Sequence, residues 1–205
     1  MEAHEAHEVG DRIAETGHGA PLGERLRREA AVIVGVIAML LAIASLLGEA
    51  ATKETINFNV LASDTYGYYQ AKNERQMTLR LAADQLEALA ASHPDWTAGA
   101  RERVDKLVAD HRATADRYES DPAAGDGKKE LLAKARAYEQ RRDRAQHQDI
   151  NYDYARALFQ IAIVLGSVSI VSLSRPLLWL GCGLAGLAAL LTLNGLLLLV
   201  PLPFE

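Results

Sequence analysis

Over 205 residues the net charge is only -5, with 22 basic residues scattered among 27 acidic ones, so the chain lacks the basic stripe that a nucleic-acid backbone requires. Its single cysteine, Cys182, excludes an intramolecular disulfide. The apolar share of 49% is ordinary in amount but not in distribution, because the stretches 30–48, 157–174 and 176–200 hold no Asp, Glu, Lys or Arg at all. Uncharged apolar runs of about 18 residues or more cross a ~30 Å hydrocarbon layer as helices. They predict an all-α integral membrane protein with three transmembrane helices.

Residues 1–29 form a polar tail that opens on a repeated Ala-His-Glu and lacks the apolar periodicity needed to bury a face, so mobility is expected there. Arg25, Arg27 and Arg28 stand directly before the first run, the usual cytoplasmic flank of a first span. The N-terminus is therefore expected in the cytoplasm. The run exceeds the ~7–15-residue core of a cleaved signal, which points to a retained anchor.

Within span 30–48, Ala31, Gly35, Ala38, Ala42 and Ser45 recur at spacings of four and three, making one ridge of small side chains. Span 157–174 carries a ridge at Ala162, Gly166 and Ser169, and span 176–200 carries Gly181, Ala185 and Ala189. Lipid gives no hydrophobic reward for pairing helices, so close backbone approach must supply the contact. Each span is expected to meet another helix, in the same chain or in a second copy.

Between the first two spans lies an extramembrane region, 49–156, with helices expected at about 49–92, 96–119 and 127–156. Only Gly67 interrupts the first, and Pro94 stops it. Asp95 is the expected cap of the second, which the Gly-containing 121–127 loop ends. In the third, Leu131, Ala135, Tyr138, Arg142, Ala145, Asp149, Tyr152, Arg156 and Phe159 keep a four-three repeat, coiled-coil-like with polar residues in the seam. At 1.5 Å per residue the outgoing arm rises ~65 Å and the returning one ~45 Å. The expectation is a long coiled-coil-like extramembrane helical hairpin, its middle helix crossing obliquely unless the first arm bends at Gly67. Three spans place the termini on opposite sides, with the helical region facing outward and 201–205 as a short C-terminal tail.

Two segments carry a resemblance. Ser63 to Asn73 contains Tyr69-Gln-Ala-Lys72 after the first span, and Phe159-Gln-Ile-Ala162 opens the second. With the His-containing acidic tail, they resemble the bacterial membrane-protein family called domain of unknown function 4337, over nearly the full chain. That resemblance implies a bacterial inner-membrane location and imports no activity. Relatives are similarly built but strongly basic before the last span, with a Trp-Leu-Trp sequence; this chain has Ser174-Arg-Pro-Leu-Leu-Trp179 there. A basic connection belongs in the cytoplasm, consistent with the orientation above.

Tyr66, Tyr68, Tyr69, Gln70, Lys72, Asn73 and Gln76 combine rings and amides over about three helical turns. They read as a partner surface or, more simply, as residues that pack on Tyr138 and Arg142 of the returning helix and set its register. Gln160 and Asn194 are the notable amides of the spans, suited to bonding between helices. No Asp, Glu, Lys, Arg or His of the kind that ion pathways use lies in any span. His4 and His7, among Glu2, Glu5 and Glu8, offer two strong metal ligands where a closed site needs about four, so a solvated tail is the simpler reading. His93, His111 and His147 are scattered without ligand spacing, and Glu102 with Lys106 or Glu130 with Lys134 are spaced as on a solvated helix face. Tyr152, Tyr154 and Trp179 suit the interfacial aromatic belt.

No nucleophile elbow or CxxC occurs, so no catalytic residue, cofactor or metal is expected and the chain does not read as an enzyme. The leading expectation is a membrane scaffold that associates with identical copies through its small-residue faces, with the helical region engaging a further protein partner. A channel or transport accessory using Gln160 and Asn194 is the alternative, and metal binding by the tail a third.

Overall fold

The computed structural model describes residues 20–200; the segment with His4, His7 and His18, and residues 201–205, lie outside them. The described residues form four helices and no strand: α1 (Ala20–Ser92), α2 (Ala98–Glu119), α3 (Lys128–Ser172) and α4 (Arg175–Leu197). Of these α1, α3 and α4 are long and apolar enough to cross a membrane.

The first span and the polar arm behind it are one uninterrupted helix of 73 residues. Gly67 does not break it, since an isolated glycine costs a helix only about 1 kcal/mol. The helix begins at Ala20, within the segment expected to be a mobile tail. Leu26 and Ala30 explain the early start, for both are buried against Leu178 and give the first turns a tertiary partner. Two leucines, Leu22 and Leu26, in an otherwise polar stretch are too few to establish a periodicity. At the next boundary, Pro94 and Asp95 are spent in a turn, so the cap of α2 is Thr97 rather than Asp95, its Oγ1 accepting from the Ala100 N–H at 3.3 Å. Pro176 falls in the first turn of α4, where its missing N–H costs no hydrogen bond.

The chain divides into two compact units, one made of the residues up to Lys53 with those from Ala145 onward, the other Glu54–Arg144. The core of the first joins Ile37 and Ala44 of α1, Ala155, Phe159 and Ala162 of α3, and Ala185 and Ala188 of α4. Alanine dominates it because small side chains let helix backbones approach closely. A Cβ added at Gly181 would lie 3.2 Å from the Ala162 carbonyl, and one at Gly166 only 2.5 Å from Val34 Cγ2. The small-residue ridges of the second and third spans are thus consumed within the chain. That of α1 is not: it buries Ala30, Ile37, Ala44 and Ala51, every seventh residue, and leaves Ala31, Gly35, Ala38 and Ala42 exposed.

In the second unit, contacts pair α1 with its neighbours in reversed order. The Ala90 carbonyl accepts from Arg101 at 3.4 Å, Glu87 from Arg112 at 2.7 Å, Gln76 donates to the Ala115 carbonyl at 2.9 Å, and Tyr66 to Glu139 at 3.1 Å. As the α1 number falls from 90 to 66, the partner number rises from 101 to 139, so α2 and then α3 run antiparallel along α1, one after the other. The oblique middle helix expected from the unequal arms does not occur: α2 occupies the part of α1 that α3 is too short to cover. The four-three positions of α3 in this unit, Leu131, Ala135, Tyr138 and Arg142, are buried or half-buried.

Candidate functional site

Gln76 is only 2% exposed and sits where α1 meets the end of α2 and the start of α3. A buried amide must find partners for its carbonyl and its NH₂, and here the helix ends supply them. Its Nε2 donates to the Ala115 carbonyl and, at 3.1 Å, to Glu119 Oε2. Its Oε1 accepts from Lys128 Nζ at 2.7 Å. The same ammonium donates to Asn73 Oδ1 at 2.9 Å, pairs with Glu119 at 3.2 Å and lies 5.8 Å from the centre of the Tyr69 ring. All three ammonium protons have acceptors.

Around this tie Lys72 pairs with Asp126 at 2.7 Å and stands over the Tyr118 ring, while Glu130 accepts from Ser120 Oγ at 2.7 Å and the Asp121 N–H at 3.2 Å. Gly127 is fixed there by space, since a Cβ would collide with the Glu130 carboxylate and the backbone of Asp121. Among the residues singled out from sequence, Tyr66, Tyr69, Lys72, Asn73 and Gln76 all face α2, α3 or the loop between them, whereas Tyr68 (68% exposed) and Gln70 turn to the exterior. Tyr138 stacks on Phe58 at 6.3 Å, and Arg142 bonds its neighbour Asp143 while lying close enough to Tyr66 for its charge to act on that phenol.

Lys128 and Glu119 carry no signal of their own in the sequence, and Glu130, expected with Lys134 on a solvated face, instead reaches back to Ser120 and Asp121. For Glu130 the signal was its position three residues into a helix that follows a glycine loop, where a carboxylate reaches back to free N–H groups. For Lys128 and Glu119 only the return of α2 onto Gln76 creates the role.

Electrostatics follow the bonds. The Gln76 amide first, then Lys128, holds the Glu119 carboxyl below the usual carboxylate range, and the Ser120 hydroxyl does the same for Glu130. A carboxyl depressed in the fold contributes stability that is fully present above its unfolded pKa of about 4.3 and is lost as pH falls through the folded value. Thermal stability is therefore expected to be flat from pH 7 to about pH 5 and to drop below about pH 4. Melting curves followed by helical circular dichroism test this, and Glu119→Gln is expected to shallow the drop. An equal drop in that variant would remove Glu119 from the account.

The span amides part ways. Asn194 is fully engaged: its Nδ2 donates to Asn151 Oδ1 at 2.8 Å and the Val200 carbonyl at 2.9 Å, and its Oδ1 accepts from the Val200 N–H at 3.0 Å. It fastens the C-terminal turn of α4, where Leu198 takes a left-handed φ of 50°, to α3. Gln160 is exposed on α3.

These features define an all-helical protein with three helices of membrane-crossing length and apolarity, whose most elaborate polar cluster spends its donors and acceptors on holding helix ends together. The chain belongs to the family described as Domain of unknown function (DUF4337), whose model matches residues 26–198. Both the Tyr-Gln-Ala-Lys and Phe-Gln-Ile-Ala segments fall inside the match. No curated protein and no solved structure matches the chain.

Proposed function

We propose that this protein is a non-catalytic scaffold of a bacterial inner membrane that associates with identical copies of itself. In this reading the apolar parts of α1, α3 and α4 cross the bilayer with the N-terminus in the cytoplasm, and the polar unit is an extramembrane, coiled-coil-like hairpin available to a protein partner. The observation that carries the proposal is the outward ridge of α1. Gly35 has nothing within 4 Å of where a Cβ would stand, and Val32, Met39 and Leu46 beside the ridge are likewise exposed. Small residues in a span are useful where backbones must come close, and in α3 and α4 they are used that way; on α1 the matching surface awaits another helix. Ile56 with Val60, and Met77 with Leu81, are exposed pairs one turn apart on α1 in the polar unit and suit a partner there.

The channel reading is weakened by Asn194, whose amide is bound at both its donor and acceptor ends, which leaves Gln160 as its one outward amide. The tail that would bind a metal lies outside the described residues. Sedimentation of the full chain in mild detergent tests the scaffold. The wild type is expected as a dimer or larger, and Gly35→Leu with Ala42→Leu as a monomer of unchanged helix content and melting temperature. A monomeric wild type, or a variant that still associates through this face, overturns the reading.

A further inference from the structure

Where α1 begins and α3 gives way to α4, the first unit has a groove of about 410 Å³ between α1 and α4, within the ~300–1,000 Å³ of small-molecule pockets. Leu26, Ile33, Leu178, Trp179 and Cys182 form its walls, and Arg175 stands among them. Beneath it Leu26, Ala30 and Leu178 close the packing with Ile170 against them. Two further concavities, of about 520 and 680 Å³, continue around α1; they share Arg25 and Arg28, and the first also shares Glu29 and Ile33 with the groove. Together they make a collar around the start of α1.

The collar has one chemistry throughout, a cationic rim over apolar walls. Arg25, Arg27, Arg28 and Arg175 are all exposed, against two carboxylates, Glu24 and Glu29, so the rim is net positive. Guanidinium forks match phosphate oxygens in pairs. Trp179, 75% exposed beside Arg175, has the amphipathic ring favoured at the boundary between headgroups and hydrocarbon. A free phosphate would use the rim and leave the apolar groove empty, whereas a molecule with a phosphate head and a hydrocarbon chain uses both. We propose that this collar is a binding site for an anionic phospholipid, its phosphate on Arg175 and the arginine rim of α1 and an acyl chain in the groove between Ile33 and Leu178. The inference rests on the reading that these helices lie in a membrane.

The test is native mass spectrometry of the full chain in mild detergent with phosphatidylglycerol, phosphatidylethanolamine or inorganic phosphate added. Phosphatidylglycerol adducts are expected to be retained preferentially and not displaced by millimolar phosphate. The double variant Arg28→Gln with Arg175→Gln, both at exposed positions, is expected to weaken them by roughly tenfold or more, the loss of charge-assisted hydrogen bonds. Cys182→Phe, which fills the groove without changing charge, is expected to weaken them as well. Equal retention of phosphatidylethanolamine, whose amine would pair with Glu29, overturns the anionic specificity. Displacement by phosphate reduces the collar to a simple anion site, and undiminished binding in the variants removes the site altogether. Carbonate washing of membranes separates the two failures: a chain that resists washing but shows none of this preference sinks only the lipid site, and a chain that is washed off sinks the membrane reading with it.

Discussion

Gly195→Ala is expected to destabilise the protein by about 1–3 kcal/mol, the cost of overpacking a filled interior. The new methyl would stand 2.6 Å from Tyr152 Cε1 and 3.0 Å from two more atoms of the ring. Tyr152 is itself 2% exposed, and its Cβ is packed close to Gly48 of α1, so the ring has no free direction in which to move. Either α4 separates from α3 or the Asn194–Asn151 bond one residue away is lost. The control lies on the same helix. A methyl at Gly183 would meet nothing within 4 Å, and Gly183→Ala is expected to gain about 0.4–1 kcal/mol by stiffening the unfolded chain. Denaturation in mild detergent followed by helical circular dichroism reads both. Equal responses from the two glycines would contradict the packing of Tyr152 against α4.

Gln76→Leu is expected to cost about 1–3 kcal/mol in the polar unit, although leucine is of similar size and more apolar. The loss comes from what stays behind: the Ala115 carbonyl loses a donor and Lys128, its side chain 12% exposed, loses an acceptor. Lys128→Met alone is expected to be of similar cost. Since Lys128 reaches Gln76, Asn73 and Glu119 together, the two substitutions should be far from additive, with a coupling of about 0.5–3 kcal/mol. The double-mutant cycle measures it. Additive costs would show that the amide and the ammonium act independently. Gln76→Leu should also let the Glu119 carboxyl rise toward its ordinary range, because the Gln76 bond is the first cause of its depression.

How far the residues alone disclosed this molecule depends on whether the information is local. Charge-free runs long enough for a bilayer are a property of consecutive residues, so the three apolar helices could be read directly, and the Tyr-Gln-Ala-Lys and Phe-Gln-Ile-Ala segments, equally local, carried the resemblance to the family. So could the breaks at Pro94, the 121–127 loop and Arg175-Pro176, because proline and glycine act on their own backbone. The segment from Tyr66 to Gln76 stood out by composition, yet its partners did not. Tyr66 donates to Glu139 of the returning helix, but Gln76 owes its burial to α2, whose path along α1 no local signal encodes.

The ridges show the same division. Their spacing identified small faces on all three apolar helices, since a four-three pattern is visible in one dimension. Which of them face one another is a matter of helix rotation, and only the packed structure decided it. The chain sets the ridges of α3 and α4 inward around Phe159 and Ala162 and turns Gly35 out, because α1 buries its alternate stripe at Ala30, Ile37 and Ala44 instead. Sequence determined the helices and their apolar character through short-range chemistry; tertiary structure alone chose which side of each helix is spent, because that choice depends on residues more than a hundred positions apart competing for the same contact.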